Sequence, residues 1–202
     1  MFNKFEKWVA LASIFLVVGC ASSEPEEEHV PEASPVKICP VGSEFDVRLH
    51  SALPEDWARG ALDALATWDS ALKGSFVFKV RITAEVDWDA APCRLTVFPS
   101  PEPMRNWGLF DGARNPGTDR SAYGAIWVNS TKGDYAAAYA TVLHELGHFF
   151  GLDHNPDINA KSVMWKFITV PGRVGCVDQD KACTIWGCSP SCADKDEWLG
   201  NK

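Results

Sequence analysis

The sequence predicts an α/β fold, a twisted mixed sheet carrying two long helices, from three observations. Two stretches repeat apolar residues at helical spacing, and several shorter ones are rich in β-formers that alternate or cluster. The two kinds interleave as strand, helix, strands, helix, an order that implies a sheet with the second long helix packed on one face. A chain of 202 residues, 46% of them hydrophobic, is long enough to bury a sizeable core as one domain. Its net charge of −8 argues against a nucleic-acid partner, which calls for a basic face.

In chain order, residues 44–50 place Phe45, Val47 and Leu49 on one side, the alternation of a half-buried strand. Pro54-Glu55-Asp56 opens a helix with Trp57, Ala61, Leu62, Leu65, Trp68 and Leu72 at helical spacing, and Gly74 stops it. Residues 76–83 and 94–98 read as the next two strands. The stretch 100–121 is punctuated by Gly and Pro and reads as loop, with room for a short edge strand at 107–110. Residues 124–129 form another strand, and 135–150 a long helix with an alanine-rich start. The tail, 171–202, is read as cysteine-rich and irregular, with at most a short helix at 193–199.

The first residues describe an export signal. Lys4 and Lys7 precede an apolar run from Trp8 to Val18 that closes on Gly19-Cys20. The run is shorter than the roughly 20 residues needed to cross a bilayer. Val17-Val18-Gly19-Cys20 resembles a bacterial lipobox. That resemblance implies a signal peptide at 1–19, lipidation of Cys20 and an anchor in a bacterial membrane, and Ala21 points to the outer one. A plain secretory peptide is the competing reading. Residues 20–36, with Glu26-Glu27-Glu28, read as a disordered acidic tether or a short propeptide, and the folded domain as 37–202.

Beyond Cys20 there are six cysteines, Cys39, Cys93, Cys176, Cys183, Cys188 and Cys192, an even number that in an exported chain reads as three disulfides. The last four crowd the tail and are expected to pair among themselves, leaving Cys39 for Cys93. A zinc knuckle competes for the tail cysteines, but they lack CxxC pairs.

The chemistry concentrates in His144-Glu145-Leu146-Gly147-His148-Phe149-Phe150-Gly151-Leu152-Asp153-His154. On a helix, His144 and His148 share a face and can grip one metal ion. Glu145 projects beside them, placed to reach a water at that metal as a general base. Gly151 is the helix break, a position free to take a positive φ, and the reversed chain returns His154 as third ligand. Three imidazoles leave one tetrahedral position open, the mark of a catalytic Zn2+ site. A chance match to all five fixed positions in such a chain has odds on the order of one in 10⁵.

These residues resemble the metzincin clan of zinc peptidases. Met164, within Ser162-Val163-Met164-Trp165, resembles the clan's Met-turn, and Gly151-Leu152-Asp153-His154 with Ser-x-Met looks most like the matrixins. The resemblance implies a metzincin-like catalytic domain with a zinc cleft, one catalytic Zn2+ on His144, His148 and His154, and Glu145 as catalytic base. It also implies a substrate pocket walled by Trp165, Lys166 and Phe167. Departures from the matrixin pattern are Asn155 after the third His, too few remaining histidines for a second zinc, and the cysteine-rich tail in place of a C-terminal helix.

The sequence therefore points to a monomeric zinc endopeptidase acting on a protein or peptide substrate, which adds as a strand along an edge within 106–128. Trp107, Phe110 and Trp127 in that region read as core rather than subsite. Asp87, Asp89, Asp111, Asp119, Asp153 and Asp157 show no calcium-loop spacing, so Ca2+ has no support in the sequence. The competing classes are a non-catalytic surface-binding lipoprotein and a zinc amidohydrolase acting on a cell-envelope substrate. Neither has a sequence feature of its own.

Overall fold

Alternating and clustered β-formers build a five-stranded sheet in the computed structural model, which describes residues 39–40, 42–85, 91–102, 104–114, 118, 120–157, 162–165, 174–190 and 192. The strands are β1 (Glu44–His50), β2 (Val77–Thr83), β3 (Arg94–Pro99), β4 (Gly108–Arg114) and β5 (Ser121–Val128). The helices are α1 (Glu55–Ala71), α2 (Tyr135–Phe149) and α3 (Cys176–Trp186). Across the sheet the order is β2-β1-β3-β5-β4. The first four run parallel, and β4 lies antiparallel to β5 at the edge.

Registry places one apolar row on a single face. Val47 pairs with Leu95, Leu49 with Val97, and Val97 with Ile126. These side chains and Phe45 meet Trp57, Leu65 and Trp68 of α1 and Val142, Leu143, Leu146 and Phe149 of α2 in one core. Burying each large apolar side chain contributes about 1.5–3 kcal/mol. Trp68 is fully buried and its indole N–H donates to the Leu143 carbonyl at 2.9 Å, which ties α1 to α2. Where the helices cross, Gly60 admits the backbone of α2: a Cβ there would lie 2.7 Å from Tyr139 N and 2.8 Å from Ala138 Cβ. On the opposite face Asp46 accepts from Arg48, Arg81 and Arg94; burial works to raise its carboxyl, but the bonds and charges of Arg48 and Arg81 together hold it below the ordinary range.

Two expectations are corrected. The stretch 100–121 holds the seven-residue strand β4, not merely a short segment within loop. Its glycines read as turn signals, but Gly108 and Gly112 sit where other groups press against the strand, Thr141 and Glu145 at the first and Phe110 at the second. The cysteine-rich tail contains a true helix, α3, bounded by Gly175 and by Gly187 at φ 72°. Asp178, Gln179, Ala182, Cys183 and Trp186 form its buried face at helical spacing, a period hidden because the cysteines were read as loop staples. Residues 193–199 lie outside the described residues, as do the signal segment, Cys20 and the tether. The disulfides pair as expected, Cys39–Cys93, Cys176–Cys192 and Cys183–Cys188.

Because a methyl group at Gly60 has nowhere to go but into α2, Gly60→Ala should cost about 1–3 kcal/mol through overpacking. Urea unfolding should show a lower midpoint at unchanged slope; an unshifted midpoint would mean the helices can separate freely at this crossing.

Candidate metal centre

The site grows out of the last two turns of α2. Asp134 caps the helix by accepting from the Ala137 N–H. The apolar positions Val142, Leu143, Leu146 and Phe149 fix which face turns inward, leaving His144 and His148 one turn apart along the rim. After Phe150 the chain reverses through Gly151 at φ 92°, with the Leu152 N–H returning to the Gly147 carbonyl at 2.9 Å. The reversal delivers His154. Asn155 then ties to the 162–165 turn, its N–H donating to the Met164 carbonyl at 2.8 Å.

The three imidazoles converge. His144 Nε2 lies 3.2 Å and His148 Nε2 3.3 Å from His154 Nε2. His144 Nδ1 stands 2.7 Å from the Val163 carbonyl and His148 Nδ1 2.8 Å from the Leu152 carbonyl. A carbonyl only accepts, so both Nδ1 atoms carry the proton and both Nε2 atoms present lone pairs. His154 Nε2 lies within reach of both lone pairs, where it donates when it carries a proton and joins them as a third ligand when it does not. A tetrahedral zinc with nitrogen ligands at about 2.0–2.1 Å has edges of about 3.3–3.4 Å, which matches the spacing here. The donor set fits Zn2+. His144 is buried, His148 half-buried and His154 exposed, so the centre opens to solvent on one side.

Met164 lies under this face. Its Sδ would come within 2.1 Å of a Cβ placed on Gly147, so the thioether rests directly on the helix backbone between the two α2 histidines. The turn that carries it is held from α3: the buried Asp178 carboxylate accepts from the Ser162 hydroxyl and, at 2.7 Å, from the Val163 N–H. The Ser162 oxygen in turn accepts from the Met164 N–H at 2.9 Å. Burial raises Asp178 from its ordinary value, with these donors acting in opposition.

Glu145 is buried beside the histidines, against edge strand β4. Its carboxyl accepts from the Phe110 backbone N–H, and burial outweighs that bond to push it up to about 7. Gly108 makes the approach possible, since a Cβ there would stand 2.9 Å from Glu145 Oε1. Burial likewise pushes His144 down to about 4, with the Val163 carbonyl opposing and the neighbouring imidazoles adding.

The structure thus brings together His144, Glu145, His148, His154, Gly151 and Met164. Trp165 is half-buried and bridges to Asn155, while Lys166 and Phe167 lie outside the described residues. Of the acidic residues weighed for Ca2+, Asp87, Asp89 and Asp119 also lie outside them. The three aromatics of 106–128 separate: Trp127 stacks on Phe98 at 4.7 Å, Phe110 folds over Gly112 and Gly124, and Trp107 is 39% exposed. Sequence reasoning missed Asp178, Gly108 and the carbonyls of Leu152 and Val163. The only available signal was the helical period around Asp178.

No family model matches the sequence, and no curated protein does. Among solved structures, the chain is similar to metalloproteinase-II from Bacteroides fragilis, with a TM-score of 0.48 and 12% identity over 76% of this chain. The match spans 57% of that protein's length.

In the metal-free protein the two shifts act on stability with opposite sign. His144 moves from 6.5 down to about 4, so between those values the unfolded chain binds the extra proton and stability rises with pH. Glu145 moves from 4.5 up to about 7, so across that window the folded chain binds the extra proton and stability falls with pH. Glu145→Gln removes the second slope. Relative to wild type, the chelated variant should gain on the order of 2 kcal/mol between about pH 4.5 and 6.5. Urea titrations at the two pH values would read this, and parallel profiles would contradict the burial of Glu145.

Proposed function

We propose that the chain is a zinc-dependent endopeptidase, and one observation carries the reading: three converging imidazole nitrogens, all within 4.8 Å of one another, with a buried carboxyl beside them. His144, His148 and His154 would hold the metal, and their arrangement keeps one position open toward solvent. When bound, zinc supplies Lewis acidity, which acidifies water and polarises a carbonyl. Glu145 takes the proton from the attacking water and hands it to the leaving amine. A carboxyl buried beside the ligands and fixed by a backbone donor is placed for both halves of that transfer. The Phe110 N–H keeps the carboxyl aimed along β4.

β4 is an edge strand, so an extended peptide can add to it as a further strand and pass Glu145 with its backbone hydrogen-bonded. This supports peptide rather than small-molecule substrates. Trp165, Lys166 and Phe167 remain the proposed pocket wall. The metzincin-type, matrixin-like assignment belongs to this proposal and rests on the zinc motif and the Ser-x-Met turn. Export and a lipid anchor at Cys20 belong to it as well. The three paired disulfides support an oxidising compartment.

The test is zinc stoichiometry and casein cleavage for wild type and Glu145→Ala. The expected outcome is one zinc in each, with the variant's cleavage reduced by about 10²-fold or more, as loss of a general base predicts. Full activity in Glu145→Ala would remove the mechanism, and cleavage of peptidoglycan but not casein would move the enzyme to the amidohydrolase class.

A further inference from the structure

The metal-binding face of His144 is fixed by a short chain of bonds that begins in α3. Asp178 accepts from the Ser162 hydroxyl and the Val163 N–H; the Val163 carbonyl accepts from His144 Nδ1. Whatever moves Asp178 therefore moves the acceptor that sets the tautomer and aim of a proposed ligand.

The two ends of α3 are held differently. The far end is anchored several times over. Trp186 is fully buried, its N–H donates to the Phe150 carbonyl at 3.0 Å, and its ring meets Phe76 edge-on at 5.0 Å. Arg120 donates to the Ile185 carbonyl at 2.9 Å, and Cys183–Cys188 staples the last turn. The near end, which carries Asp178, has ties of its own, but they are local to the first turn: the Gly175 N–H donates to the Asp178 carboxyl, and Gln179 Nε2 donates to the Val174 carbonyl at 3.0 Å. The covalent tie on that first turn is Cys176–Cys192, two residues from Asp178.

We propose that the Cys176–Cys192 disulfide is a positioning element of the metal site, holding the first turn of α3 so that Asp178 keeps the 162–165 turn, and through it His144, in the metal-binding arrangement. The inference rests on the reading of the three histidines as metal ligands, but not on peptidase activity. Cys183–Cys188, at the already anchored end, has no such role, although both bonds belong to the same helix.

The experiment measures release of zinc from the loaded full chain to a chromophoric chelator, well below the unfolding temperature. Cys176→Ala/Cys192→Ala should release zinc about tenfold faster than wild type, the scale on which outer partners of a ligand act, and Cys183→Ala/Cys188→Ala within about twofold of it. Asp178→Asn should resemble the first variant, and combining the two should add little, because they break the same link. The visible spectrum of the cobalt-substituted protein should shift in those variants and not in Cys183→Ala/Cys188→Ala. If the double alanine variant does not fold, folded wild type is reduced with a trialkylphosphine and alkylated, and mass spectrometry identifies molecules in which only Cys176–Cys192 has opened. Equal release from wild type and the opened form, or fully additive effects with Asp178→Asn, would overturn the proposal. A wild type that binds no zinc would overturn the site reading as well, and its stoichiometry tells the two failures apart.

Discussion

Two hydrogen bonds from imidazole to backbone set the character of the whole site. The carbonyls of Val163 and Leu152 each take the Nδ1 proton of one α2 histidine, at 2.7 and 2.8 Å, and so leave Nε2 as a lone pair pointing inward. Neither carbonyl is near its histidine by local geometry alone. The Leu152 carbonyl arrives because Gly151 takes a positive φ, and the Val163 carbonyl because a separate turn is brought back over α2. The site is therefore a product of two chain reversals laid on one helix. Each reversal is fixed by bonds that have nothing to do with a metal.

The same helix must satisfy the core and the site together. Val142, Leu143, Leu146 and Phe149 are fully buried, while His144, Glu145 and His148 occupy the positions between them. Glycines resolve the crowding where side chains would collide. Gly147 makes room for the Met164 sulfur, and Gly108 lets β4 close on Glu145. At these points the backbone itself is the packing surface, which explains why a strand with two glycines remains in the sheet although glycine disfavours strands.

Legibility in the sequence followed the range of the interactions. The strands β1, β2 and β3 and helices α1 and α2 are set by local periodicity, and their observed bounds agree with the expected ones to within a few residues. The histidines, Glu145 and Gly151 were legible because one helical turn and one reversal encode them within eleven residues of sequence. β4 was only partly legible, since its glycines answer to groups on α2 and to the Phe110 ring, far away in sequence or across the strand. Asp178 was invisible for the same reason. It acts on residues sixteen and fifteen positions away, and no local pattern marks an aspartate as the partner of a distant turn. The helix that carries it was missed because cysteine spacing suggested loops, whereas the buried face of α3 follows Asp178, Ala182, Cys183 and Trp186.

Burying titratable groups at the site also carries a cost that bears on how this part of the fold persists. Burial disfavours the charged form of each group, which costs stability below 6.5 for His144 and above 4.5 for Glu145. These terms are offset elsewhere, by the aromatic core around Phe45, Phe149, Phe150 and Trp186 and by the three disulfides. A cation held by the three histidines would bind the folded arrangement in preference to the unfolded chain, so metal binding and local order must be linked in free energy. The placement of the supports follows from that linkage. Three side chains from two chain reversals converge only if the layer behind them is fixed, and the buried Asp178 supplies that layer through its bonds to Ser162 and Val163.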